Sequence, residues 1–250
     1  MELYYSVPFA FSFIGLRFMF HNFVHFCATG EKTKVNLFSE SSFKCLYHAT
    51  AFCIGYNYVL QENLLNNIQT CWTDIERQHI VDHYYLFELS WYLHELICHF
   101  FTERKKDHLA MLIHHAATIT LIILSDHYNL LFIGTLITTV HNLSDIFLHS
   151  AKMFSYMQSD LGVNACIFLL FVSWIYSRLY IFPMYIIHTC INDTQFLIDS
   201  GLIETSTYYI ANSALITLFL LHIFWFNLLC VSIARKFRGE TLKDPRDKSV

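Results

Sequence analysis

The sequence predicts an all-α integral membrane protein of about seven transmembrane helices. Three observations predict it. The 250 residues are 55% hydrophobic and only 14% charged, with a mean hydropathy of +0.40, too apolar for a soluble domain of ordinary composition. Only 7 Gly and 3 Pro occur, which argues against barrels and linkers and leaves helices as the spanning form, because lipid offers no partner for a free backbone group. Lys and Arg gather in alternate connections. The 24 Phe and 15 Tyr suit helix interfaces and the headgroup belt.

Apolar stretches near the roughly 20 residues that cross a bilayer run from Val7 to Ala28, Phe43 to Leu60, His83 to Phe101, His108 to Ser125, Leu130 to Ser150, Val163 to His188, and Tyr208 to Ala234. The first follows MELYY, which has no basic n-region, and lacks a small-residue cleavage site, so it reads as a retained span. The fourth and fifth contain His114, His115, His141 and Asp145, which lower their hydropathy, yet their lengths and polar flanks suit a crossing. Lys32 and Lys34 lie between the first two spans, Arg104, Lys105 and Lys106 between the third and fourth, and Lys152 between the fifth and sixth. Basic residues return after the seventh with Arg235, Lys236, Arg238, Lys243, Arg246 and Lys248. The positive-inside rule therefore places the C-terminal tail in the cytosol and the N-terminus in the lumen.

The segment from Thr189 to Ser206 has no Lys or Arg and contains Asn192-Asp193-Thr194, a glycosylation candidate on the lumenal side. Cys45, Cys53, Cys98, Cys166 and Cys230 lie in apolar runs, where a thiol acts as a small hydrophobe and no disulfide framework is expected. A formal charge of −4, with cations clustered rather than striped along one face, excludes a nucleic-acid partner. No repeat, low-complexity tract or long linker divides the chain, so one integral domain is expected.

Ionisable groups inside a membrane are costly and mark functional candidates. His114 and His115 are adjacent and diverge by about 100° on a helix, so they point to different jobs. On the next span His141, Asn142 and Asp145 share a face at spacings of three and four. A histidine opposite a carboxylate is the minimal arrangement for acyl transfer, with the carboxylate setting the tautomer and the imidazole acting as base or nucleophile. The same groups also serve as interhelical hydrogen-bonding glue. A metal site of the membrane desaturase kind is disfavoured, because matching HxxxH and HxxHH boxes do not recur; no metal is expected. A transporter is disfavoured too, since inverted repeats and Gly/Pro-broken spans do not occur.

The run RKKDHLAMLIHHAATITLIILSDHYN followed by GTLITTVHNLSDIFLHSAKM resembles the signature of the ceramide synthases within the TLC-domain superfamily, with His114 placed 31 residues before Asp145. The resemblance extends upstream through FSESSFKCLYHATAFCIGY, Cys71-Trp72 and YYLFELSWY, and downstream through SRLYIFPMYIIHT to RGETLKDPRD. It implies a six-helix TLC-type bundle at 38–235 around a central cavity open to the cytosol, preceded by a transmembrane helix and cytosolic loop at 1–37 and followed by a basic tail at 236–250, with no homeobox-like domain. It implies an acyltransferase of the endoplasmic reticulum membrane that joins the acyl group of acyl-CoA, a co-substrate rather than a bound cofactor, to the amine of a sphingoid base to form ceramide. His114 would take the acyl group or deprotonate the amine, Asp145 would orient it, and His115 would support it. His141 and Asn142 are candidate substrate-binding residues, as are Arg104, Lys105 and Lys106 for CoA phosphates, although three cations at that level also read as a topology signal. Glu88 and Arg178 match family motifs as a structural ion pair or cavity lining. Membrane lipids and a homo- or hetero-dimer complete the implied partners.

Three positions depart from the family pattern. Asn142 stands where the first aspartate of the paired acidic motif is expected, Phe132 where an arginine is, and His149 where a glutamate is usual. The departures leave a second reading open, a non-catalytic lipid-binding or lipid-trafficking member of the same superfamily.

Overall fold

The structure is a computed structural model that describes residues 3–28, 30–73, 76–102 and 105–238. Each apolar stretch forms a long helix. They are α1 (Ser6–Cys27), α2 (Lys32–Gln61), α3 (Asp82–Phe101), α4 (His108–His127), α5 (Leu131–Tyr156), α6 (Asp160–Trp174) and α7 (Thr205–Phe237). Helix α6 continues without a break through a π-helical stretch, Ile175–Ile187, into a short α-helix, His188–Asn192. The described residues contain no strand.

Five segments have the length and apolarity to cross a membrane: α1, α4, α5, the run Asp160–Asp199 and Thr205–Lys236. The chain is thus a multi-pass membrane protein. Helices α2 and α3 fall short by composition because they carry Glu40, Lys44, Glu88 and Glu95. Their charges turn toward one another: Lys44 Nζ lies 2.6 Å from Glu95 and 3.5 Å from Glu40, and Arg17 of α1 lies 3.5 Å from Glu40. This network ties α1 to α2 and α3.

Helix α5 is the axis of the bundle. Every residue from Leu130 to Asn142 is buried, as expected of a helix apolar on all sides and surrounded by others. Its most extensive packing is against α2, followed by α6, while α7 packs on α4 and the π-helical stretch, and α1 lies outside on α2 and α3. Hydroxyls within the helices donate back one turn, as Thr139 does to the Thr135 carbonyl at 2.7 Å and Ser125 to Leu121 at 2.7 Å, a local solution for donors with no water at hand.

Tight helix ends are built with few glycines. Asn63, Asn129 and Gln158 take left-handed backbone angles just past α2, α4 and α5. The next residue's N–H then reaches back five positions, from Leu64 to Val59, Leu130 to Ser125 and Ser159 to Phe154, the Schellman closure of a helix C-terminus. Leu64 and Leu130 are buried behind their turns. The connection after α2 is pinned to the same end of the bundle, where the Trp72 indole donates to Thr189 Oγ1 at 2.8 Å.

The sequence predicts an ordinary span from Val163 to His188, and the π-helical stretch departs from it. Pro183 lies inside it, has no N–H and cannot continue an i→i−4 ladder. Such widened turns recur at functional sites, and this one carries Arg178.

Gly55 marks the closest approach of α2, and a Cβ there would collide with Thr139 Oγ1 and the Tyr84 hydroxyl. Gly55→Ala is expected to lose about 1–3 kcal/mol through overpacking, read as a lower melting temperature in detergent. Gly15→Ala, which meets no neighbouring atom, leaves the melting temperature near that of the parent.

Candidate active site

The polar residues of α5 divide between two clusters. Consecutive side chains on a helix diverge by about 100°, so His141 and Asn142 face different neighbours. His141 Nδ1 lies 2.7 Å from the carbonyl oxygen of Ile137. A carbonyl only accepts, so Nδ1 carries the proton, and in the neutral ring Nε2 is left with its lone pair. That nitrogen lies 2.9 Å from Nε2 of His222 on α7, which must then be the donor. His222 is fully buried, and its carbonyl accepts from the Trp174 indole at 3.2 Å.

His114 of α4 completes this cluster. Its ring centroid is 6.2 Å from His141, 5.7 Å from His115, 6.4 Å from Tyr92 and 5.5 Å edge-on from Trp225. The Trp225 indole donates to Asp107 Oδ2 at 3.2 Å, holding the ring against His114. His115 turns away, as adjacency on a helix requires, and approaches His99 of α3 at 5.7 Å. Among the described residues Nδ1 of His114 and Nδ1 of His115 are buried without a hydrogen-bonding partner.

The structure brings His114, His115 and His141 together and gives Asp145 a different neighbour. The Asp145 carboxylate accepts from Arg178 at 2.8 Å. The same guanidinium donates to the His141 carbonyl at 2.9 Å and lies 4.1 Å above the Trp174 ring. Arg178 therefore locks the backbone beneath His141, and Asp145 neutralises Arg178. An ion pair between Glu88 and Arg178, one of the two sequence-based expectations for those residues, is replaced by Asp145–Arg178, and Glu88 accepts instead from Asn142 and Tyr47.

Glu88 belongs to the second cluster. Asn142 Nδ2 donates to Glu88 Oε1 at 2.7 Å, and its Oδ1 accepts from His48 Nδ1 at 2.7 Å. The Tyr47 hydroxyl donates to Glu88 Oε2 at 2.9 Å. An amide donates from its nitrogen and accepts at its oxygen without carrying a proton of variable occupancy, as a carboxyl would. This gives Asn142 a structural reason to replace a carboxylate, and its donor and acceptor are both engaged. The other two departures fall into place as well. His149 stacks on His48 with centroids 5.5 Å apart, and Phe132 is fully buried among apolar side chains, where an arginine would need a partner.

Of the residues placed at the polar end, Lys105 is half-buried and Lys106 exposed; Arg104 lies outside the described residues. Asn192 is exposed at the end of its helix, while the Thr194 hydroxyl is buried and donates to the Cys190 carbonyl at 2.7 Å. Among the described residues no three His, Cys, Asp or Glu side chains are grouped to share a metal. An apolar cavity of about 90 Å³ lies between α4, α5 and α7, lined among others by Trp72, Thr118, Ile122, Ile137 and Leu215. Thr118 is one turn from His114, and Ile137 is one turn from His141. The cavity thus adjoins the histidines from the side opposite Lys105.

Sequence reasoning passes over His222, His48, Tyr47 and Trp225. For His222 the signal is present, since it is an ionisable residue inside the last apolar stretch. His48 and Tyr47 offer no comparable signal, because α2 is mixed in composition and both suit an ordinary interface.

Asn142→Asp sets a second carboxyl 2.7 Å from Glu88, and the pair is tolerated only while one of them holds a proton. The variant is expected to approach parental thermal stability in acid and to fall progressively below it as pH rises, measured by unfolding in detergent across pH. Arg178→Met leaves the part-exposed Asp145 carboxylate and the His141 carbonyl without their shared donor and is expected to cost about 1–3 kcal/mol by the same measurement.

The TLC domain family model matches residues 37–231. Ceramide synthase LOH2 of Arabidopsis thaliana is 30% identical over 98% of this chain and 90% of that protein. ASC1-like protein 3 of Oryza sativa is 30% identical over 88% of this chain and 80% of its own length. Ceramide synthase 5 of Homo sapiens is 29% identical over 84% of this chain but 53% of that protein, so the chain spans about half of this animal relative and nearly all of the Arabidopsis one. The domain match covers His114, His115, His141, Asn142, Asp145, Arg178 and His222, and with the breadth of these similarities it establishes that the chain belongs to the ceramide synthase branch of the TLC-domain family.

Proposed function

We propose that this protein is a ceramide synthase that transfers a fatty acyl group from acyl-CoA to the amine of a sphingoid base, in the endoplasmic reticulum membrane. One observation carries the reading. Within the matched domain, His114 has an unpartnered ring nitrogen inside a wall of His115, His141 and Trp225, one turn from an apolar cavity. A neutral imidazole in a dry site is suited to act as nucleophile or base, and the cavity is suited to an alkyl chain.

In this reading His114 meets the thioester carbonyl or the amine. Loss of the CoA thiolate and attack by the amine nitrogen on the acyl carbon complete the amide. Asp145 acts through Arg178, keeping His141 and its backbone in register beside His114. Helices α2 and α3 cross the membrane despite their charges, which are paired within the bundle, giving seven spans with the N-terminus lumenal and the tail cytosolic. Arg104, Lys105 and Lys106 then lie at the cytosolic mouth, where CoA phosphates approach, and Asn192 lies on the lumenal side, where it is open to glycosylation. Non-catalytic lipid binding is favoured by the cavity and by Phe132, whereas Asn142 weighs less for it, because its amide is fully used within the fold.

The test is amide formation from sphinganine and acyl-CoAs of graded length, using microsomes of cells lacking their own ceramide synthases. The parent is expected to form product and His114→Ala to lose it while inserting normally. Asp145→Ala is expected to lower activity strongly through the unpaired Arg178. Correctly inserted parent protein that forms no amide with any acyl-CoA overturns the reading in favour of lipid binding.

A further inference from the structure

Six histidines, contributed by α3, α4, α5 and α7, form one continuous file from the polar end of the bundle to its interior. His108 stacks on His99 with centroids 4.2 Å apart, His99 lies 5.7 Å from His115, and His115 lies 5.7 Å from His114. His114 lies 6.2 Å from His141, and His141 lies 4.7 Å from His222. The outer two are half-buried and the innermost fully buried. Among the described residues the His141 and His222 rings are hydrogen-bonded to each other at 2.9 Å, and His99 Nε2 donates to the His108 carbonyl at 3.2 Å. The buried Nδ1 atoms of His114, His115 and His222 meet no protein partner among the described residues. The acyl-transfer reading uses His114 and its immediate support; it has no use for His99, His108 or His222.

We propose that this file carries a proton out of the site during amide formation. The inference rests on the acyltransferase reading. A long-chain primary amine ionises near the range of lysine, about 10, so it comes from the membrane surface as an ammonium. Its reaction with an acyl thioester forms the C–N bond and breaks the C–S bond, the sulfur leaving with the electron pair. The ammonium gives up two protons in forming a secondary amide. One ends on the departing sulfur, giving the thiol, and the other is surplus. In a site walled by apolar helices that proton has no bulk water to take it. Imidazole accepts at one nitrogen and donates at the other near neutral pH. Rings in hydrogen-bonding contact pass a proton directly, and a bridging water spans the wider gaps of the file. The charged groups around the file leave its middle uncharged: Arg178 is paired with Asp145 at the inner end, Glu95 with Lys44 beside α3, and Asp107 accepts from Trp225 near the outer end, where Lys105 and Lys106 precede His108.

The experiment uses the full-length protein in detergent with sphinganine and acyl-CoA, comparing the parent with His99→Gln and His108→Gln. Glutamine keeps size and hydrogen bonding but cannot relay a proton. Each variant is expected to turn over on the order of tenfold more slowly or worse at neutral pH, with KM for both substrates little changed. The deficit should shrink on adding free imidazole, and shrink again as pH rises toward the ionisation of the amine, which then arrives neutral. Parental turnover by both variants across pH overturns the relay alone, as does a deficit indifferent to imidazole and to pH, which marks a structural role. A parent protein that forms no amide overturns the acyltransferase reading and the relay with it.

Discussion

The N-terminal half of helix α5, through Asn142, is buried along its whole length, and the polar groups it carries must be satisfied within the bundle. An unsatisfied polar group in such surroundings costs several kcal/mol, so the fold and the site are parts of one solution. Four of the surrounding helical segments are fixed to α5 by a bond to one of its polar side chains. Helix α2 brings His48 to Asn142 and α3 brings Glu88 to the same amide. The π-helical continuation of α6 brings Arg178 to Asp145, and α7 brings His222 to His141. Disturbing any of these contacts moves a helix as well as a side chain.

This arrangement separates two tasks that the sequence places on one helical face. The cluster of Glu88, Asn142, His48 and Tyr47 is saturated by its internal bonds and leaves little to offer a substrate. The cluster of His114, His115, His141 and His222 is rich in rings and short of partners, with ring nitrogens held in an apolar setting beside a cavity. Buried and unpaired donors or acceptors are expensive in a native structure and are concentrated where chemistry is done. The division between saturated and unsaturated clusters thus distinguishes the groups that hold the bundle together from those suited to react.

Much of this was legible in the chain. The helix positions follow from apolar length, and the double histidine and the aspartate stand out because ionisable residues inside spans are rare. The substitution at position 142 is also visible in the sequence, but its meaning is not. Read alone, an amide in place of a carboxylate suggests weakened chemistry. Placed between Glu88 and His48, it donates to the first while accepting from the second, which an ionised carboxylate could not do. The pairing of Asp145 was not legible for a similar reason: spacing along α5 fixes the direction in which its carboxylate points, not which helix stands there. The π-helical stretch escapes an i, i+4 reading because widened turns leave no periodic trace over so few residues.

The sequence by itself determined that this is a helical membrane protein, where its helices run, and which ionisable residues lie within them, since hydropathy and length depend only on residues close along the chain. Only the tertiary structure decided which of those residues meet. Asp145 with Arg178, Asn142 between His48 and Glu88, and the file from His108 to His222 each join positions far apart in sequence. The physical reason is that burial forces polar groups to pair, while helix packing alone selects the partner.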